Sequence, residues 1–173
     1  MTGGAAFPSP LPRLRALLDG AAVKAALLGG LMLLGAVGVT LASVLRGGLL
    51  GRPILGDSEA VEMLMGAAVA LCIPLAEMRG AHVVVDVFTA RLPRPWLAGL
   101  DALMRAAVAL VVAVLAWRLA VGGYNMWDRE RQTMFLEIPL WWGYAGAAVG
   151  MTLWLLCALF TAAEAMMRAA RPA

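Results

Sequence analysis

AVKAALLGGLMLLGAVGVTLASVL, residues 22 to 45, carries one charged side chain, Lys24, in its first turn and none after it. An α-helix rises 1.5 Å per residue, so crossing the ~30 Å hydrocarbon core takes about 20 mostly apolar residues. This block is long enough. Three more follow, at residues 60 to 76, 97 to 122 and 138 to 163. The fold class they predict is an all-α integral membrane protein of four transmembrane helices. The boundaries expected are a cytoplasmic segment over 1–21, a four-helix membrane domain over 22–163 and a cytoplasmic tail over 164–173.

The totals agree with a chain that lives in lipid. Of 173 residues 62% are hydrophobic and 14% charged, with a mean hydropathy of +0.84. A soluble domain carries about 25% charged residues. The net charge of +3 comes from basic residues set singly or in pairs at the ends of the apolar blocks, which argues against nucleic acid as a partner. Cys72 and Cys157 fall inside the blocks and read as small apolar packing residues, so no disulfide, metal site or cofactor is expected.

Arg13, Arg15 and Lys24 precede the first block as the basic region of a signal peptide would. The apolar run is longer than the 7 to 15 residues of such a peptide and no small-residue cleavage site closes it, so it reads as a retained first helix. Leu11 to Leu18 is expected to form a separate short helix in the headgroup region. Positive charge sets orientation. Arg13, Arg15, Lys24, Arg79, Arg91, Arg94, Arg168 and Arg171 fall on one side, against Arg46, Arg52, Arg129 and Arg131 on the other. Both termini are therefore expected in the cytoplasm. The far-side connections hold Asp57, Glu59, Asp128, Glu130 and Glu137, where a soluble partner would meet them.

Within the spans the signals are those of packing. Alanines at 102, 106, 109, 113, 116 and 120 step along one face of the third helix, with Ala106, Ala109 and Ala113 at its centre. Gly146 and Gly150 stand at GxxxG spacing in the fourth, and Gly143 and Ala147 repeat the rhythm one turn earlier. Alanine is common in this chain, and composition alone is an equal account of both patterns. Glu62, Asp101, Arg105 and Arg118 are the ionisable residues near or within spans. Asp101 and Arg105 are one turn apart and can pair, Arg118 can snorkel outward, and Glu62 suits the start of the second helix. That structural reading is favoured over a proton or ion relay.

Pro74 is expected to kink or end the second helix, and Glu77 to Pro93 to lie at the membrane interface as a segment between helices two and three. His82 has no second His or Cys nearby and reads as a polar contact rather than a ligand.

The string RGAHVVVD, Arg79 to Asp86, followed by Leu92 and Pro93, resembles the signature of the small membrane subunit of tripartite ATP-independent periplasmic (TRAP) transporters. GRPILGDSE (Gly51 to Glu59), and Thr133 followed by IPLWWGY (Ile138 to Tyr144), resemble the same family, and the likeness covers roughly residues 22 to 163. It implies a four-helix subunit of the bacterial inner membrane, without its own substrate site. Its partners would be a large membrane subunit that moves organic acids with sodium, and a periplasmic binding protein that delivers them. By that resemblance Arg46, Glu59, Arg79, Gly80, His82 and Asp86 are the positions to single out, with Glu62 beside them. Arg46 lacks the preceding aspartate of many relatives and has Ala42 and Ser43 there instead. Two rivals are weighed. A membrane enzyme would need a nucleophile with a base or a ligand cluster, which one His and two embedded Cys do not make. An autonomous exporter working as an oligomer would use Glu62 as its coupling carboxylate.

Overall fold

A computed structural model describes residues 11–52, 54–80 and 94–170. Four helices account for nearly all of them: α1 (Pro12–Leu50), α2 (Asp57–Met78), α3 (Arg94–Asp128) and α4 (Trp141–Ala169). All four are long and apolar enough to cross a membrane. The chain is a multi-pass membrane protein. The helices stand in the order α1, α2, α4, α3, each packed on the next, with α1 touching α4 marginally. The last helix in the sequence is therefore an inner one, and α3 stands at the edge of the row.

Two helix ends differ from those the hydropathy implies. Leu11 to Leu18 is not a separate interfacial helix, because α1 runs unbroken from Pro12 for 39 residues, about 58 Å at 1.5 Å per residue. Nor does α2 end at Pro74, which lies buried inside the helix four residues before its end. Most of the expected interfacial segment, with His82 and Asp86, lies outside the described residues.

The row is held by backbones that approach closely where side chains are small. In α1 the buried residues are Ala22, Gly29, Ala36 and Ser43, seven apart, a repeat of two turns that keeps one narrow stripe against α2. A Cβ on Gly29 would sit 2.8 Å from the Ala68 carbonyl oxygen. On α4, a Cβ on Gly150 would overlap the Ala70 carbonyl, and one on Gly146 would sit 3.1 Å from the Ala67 Cβ. Pro74 lacks the N–H that would otherwise bond the Ala70 oxygen, and the bare Gly150 backbone lies against that carbonyl. On the other flank of α4, Ala158 and Ala162 cluster with Ala109 and Val112 of α3, beside Val108, Trp154 and Leu155. Ala106 and Ala113 are half-buried.

Candidate functional site: polar clamps at the two ends of the helix row

One end of the row carries the N-terminus of α1 and the C-termini of α2 and α4; call it the terminal end. There, Glu77 of α2 is buried and accepts hydrogen bonds from Thr161 Oγ1 at 2.9 Å and Trp154 Nε1 at 3.2 Å, both on α4. One turn further along α4, buried Glu164 pairs through Oε2 with Arg15 Nη1 of α1 at 3.1 Å. Its other oxygen, Oε1, is buried and has no hydrogen-bond partner among the described residues. A carboxylate in so dry a place persists only when paired or hydrogen-bonded, so these contacts tie α1 and α2 to α4.

Neither Glu77 nor Glu164 stands out in the hydropathy, since each falls at the edge of an apolar block. The signal that finds them is register. Ala67, Ala70, Leu71, Pro74, Glu77 and Met78 form one buried stripe on α2, and Gly150, Cys157, Ala158, Thr161, Glu164 and Ala165 form one on α4. Both acids lie on the faces that meet.

The loop end, opposite, is built around Glu59 in the first turns of α2. Its Oε1 accepts from the N–H groups of Met134 (2.8 Å) and Phe135 (3.1 Å), and its Oε2 from Phe135 (3.2 Å) and Leu136 (3.1 Å). Three successive backbone donors thus form a concave anion seat. The α3–α4 connection is shaped for this as a small hairpin. Thr133 N–H donates to the Ile138 carbonyl at 2.9 Å, Ile138 N–H to Thr133 Oγ1 at 3.1 Å, and Leu140 N–H to the Arg131 carbonyl at 2.9 Å. Gly56, with φ of 82°, starts α2 in a left-handed conformation. A Cβ there would lie 2.7 Å from Leu136 Cγ, so the hairpin needs glycine twice over.

The sequence-derived candidates are distributed unevenly over this frame. Glu59 and Thr133, from two separate motif strings, meet in the loop-end clamp. Glu62 is exposed and lines an open cleft of about 450 Å³ beside it, with Met63, Leu119 and Tyr144. Arg46, Arg79 and Gly80 are exposed and enter neither clamp. Asp101 and Arg105 pair at 3.0 Å on the surface of α3, and Arg118 is exposed. Among the described residues no group of three or more His, Cys, Asp or Glu could hold a metal ion.

Residues 36–171 match the family model described as tripartite ATP-independent periplasmic transporters, DctQ component. The chain belongs to the DctQ family. The match spans all of α2, α3 and α4, α1 from Ala36 onward and both motif strings joined by Glu59. This DctQ component is the small membrane subunit of a TRAP transporter, one part of a multi-subunit transport system. Arg15 lies before the matched stretch, so the α1–α4 ion pair is a feature of this chain that the family match does not cover. No curated protein and no solved structure matches the chain.

Proposed function

We propose that this DctQ component is the static brace of a sodium-coupled, binding-protein-dependent transporter for organic acids, locked to the large membrane subunit that carries the cargo. The observation that carries the reading is the cross-bracing at both ends of the row. Glu59 fixes α2 to the α3–α4 hairpin, and Glu77 fixes α2 to α4. A transport domain needs elements that shift between two arrangements, often built from broken helices at the midplane. Here the polar side chains with the most bonds hold helix ends together. The exposed leucines and valines of α1 supply apolar surface for lipid and for the large subunit.

In this reading the protein sits in the bacterial inner membrane with 1–21 and 164–173 on the cytoplasmic side, flanking the membrane domain 22–163. The loop end faces the periplasm, within reach of the binding protein. Arg79, Gly80, His82 and Asp86 fix the cytoplasmic connection against the large subunit, and Arg46, Glu59 and Glu62 serve the opposite face. Proteoliposomes test this directly. Solute uptake is expected only with the small subunit, the large subunit and the binding protein together, and uptake by this chain as the sole protein would overturn it. Replacing His82 or Asp86 with alanine is expected to lower recovery of the assembled complex.

A further inference from the structure

The loop end of α3 and α4 carries a groove that the Glu59 clamp does not use. Its floor is built from Leu119, Ala120 and Gly123 of α3 with Tyr144, Ala145 and Ala148 of α4, four of the six without a side chain beyond Cβ. Tyr124, Trp127 and Trp141 rise beside that floor and leave a channel of about 360 Å³. All three rings are exposed, as aromatic side chains are where a membrane protein meets the headgroup layer. Trp127 and Trp141 also bound an adjoining hollow of about 530 Å³, lined by Asp128, Glu130 and Gln132.

Charge is sorted at this hollow. Of the four consecutive charged residues from Asp128 to Arg131 only the two acids line it. It also sits at the C-terminus of α3, where the helix dipole adds negative potential. An apolar trough thus leads into an acidic chamber with indole walls.

We propose that this groove binds a phospholipid with a primary-amine headgroup. One acyl chain lies on the alanine and glycine floor, and the ammonium is held by Asp128 and Glu130 between Trp127 and Trp141. The carboxylates accept charge-assisted hydrogen bonds from the ammonium, and the indole faces attract the same cation. A choline headgroup has no N–H to give those carboxylates, and phosphatidylglycerol has no cation to offset its phosphate or to pair with the two acids.

The backbone supplies a clean variant. Glu130 N–H donates to the Trp127 carbonyl and Arg131 N–H to the Met126 carbonyl, with Glu130 at φ of 48°. That is the helix-ending arrangement in which glycine usually takes the left-handed position, so Glu130→Gly removes the carboxylate while easing the turn.

The full chain is equilibrated in nanodiscs holding equal amounts of phosphatidylethanolamine, phosphatidylglycerol and phosphatidylcholine with identical acyl chains, and retained lipid is read by native mass spectrometry. Phosphatidylethanolamine is expected to be retained about five-fold over either competitor. Asp128→Asn with Glu130→Gly abolishes that preference without lowering the thermal midpoint, and Ala120→Leu, which fills the floor, lowers retention of all three lipids. Equal retention of the three, a preference for phosphatidylglycerol, or a preference that survives the double variant would overturn the proposal.

Discussion

The two outer helices, α1 and α3, are the more apolar, with a mean hydropathy of 2.1 in their most apolar stretches against 1.7 for α2 and 1.8 for α4, yet it is the inner pair that is buried. In their most apolar stretches 39% of α2 and 33% of α4 is buried, against 11% for each outer helix. Lipid tails are as apolar as leucine, so hydrophobicity alone does not bring helices together in a bilayer; close backbone approach and buried polar contacts do. The inner pair has both, in Gly150 against Ala70 and in Glu77 with Thr161 and Trp154. Each outer helix leans mainly on one inner neighbour by a narrow stripe, small residues in α1 and Ala109 with Val112 in α3. Most of its other leucines and valines face outward.

If the inner contact is what holds the row, the largest effect belongs to Gly150. Gly150→Leu places a branched side chain into the α2 backbone, which cannot yield as a flexible side chain would. A loss of at least about 3 kcal/mol is expected, at the upper end of overpacking penalties. Gly38→Leu on α1, with nothing within 4 Å of its Cβ, is the matched control and stays within about 0.5 kcal/mol. Thermal unfolding in a mild detergent compares the two, and equal losses would erase the distinction between inner and outer helices.

The terminal-end clamp comes next. Glu77→Ala removes the acceptor for Trp154 Nε1 and Thr161 Oγ1 and is expected to lower stability by about 2 to 3 kcal/mol, with Glu77→Gln restoring part of it. Arg15→Ala is expected to lose about 1 to 2 kcal/mol, because it strands a carboxylate whose side chain is 4% exposed beside an arginine that is 40% exposed. Adding Glu164→Leu to Arg15→Ala removes the stranded charge and is expected to recover most of that loss. If the double variant recovers nothing over the single one, the lost attraction of the ion pair itself, rather than the penalty of an unpaired acid, accounts for the deficit.

The membrane class and the four spans were legible because apolar runs measure what a bilayer demands. They say less about where a helix stops. Arg13, Arg15, Asp19 and Lys24 break the apolar run without breaking α1, and Glu164 and Arg168 likewise fall inside α4. Pro74 reads as a kink or an end, yet the Ala70 carbonyl it frees lies against Gly150 and the helix continues. Motif resemblance singled out Glu59 and Thr133 but not that they meet, since that contact depends on the hairpin's backbone and on positive φ at Glu137, a residue type that does not advertise it. Glu77 and Glu164 were hidden because residue counts ignore register. The seven-residue stripe of α1 is written in the sequence, but only knowing which face meets α2 separates it from the other small residues around it.

The smallest effect tests the outer helices on their own terms. Asp101 and Arg105 pair at 3.0 Å along α3, with side chains 47% and 29% exposed. An exposed pair one turn apart adds only about 0.3 to 0.5 kcal/mol, since water solvates both ions nearly as well as they solvate each other. Asp101→Asn should therefore lower the thermal midpoint only slightly, and the difference should vanish near 1 M salt, where screening acts over about 3 Å. Glu77→Ala should keep its deficit in the same salt, because its contacts are out of reach of ions. A salt-resistant loss at Asp101 as large as that at Glu77 would mean that α3, too, is held by a polar contact, and the contrast between inner and outer helices would have to be redrawn.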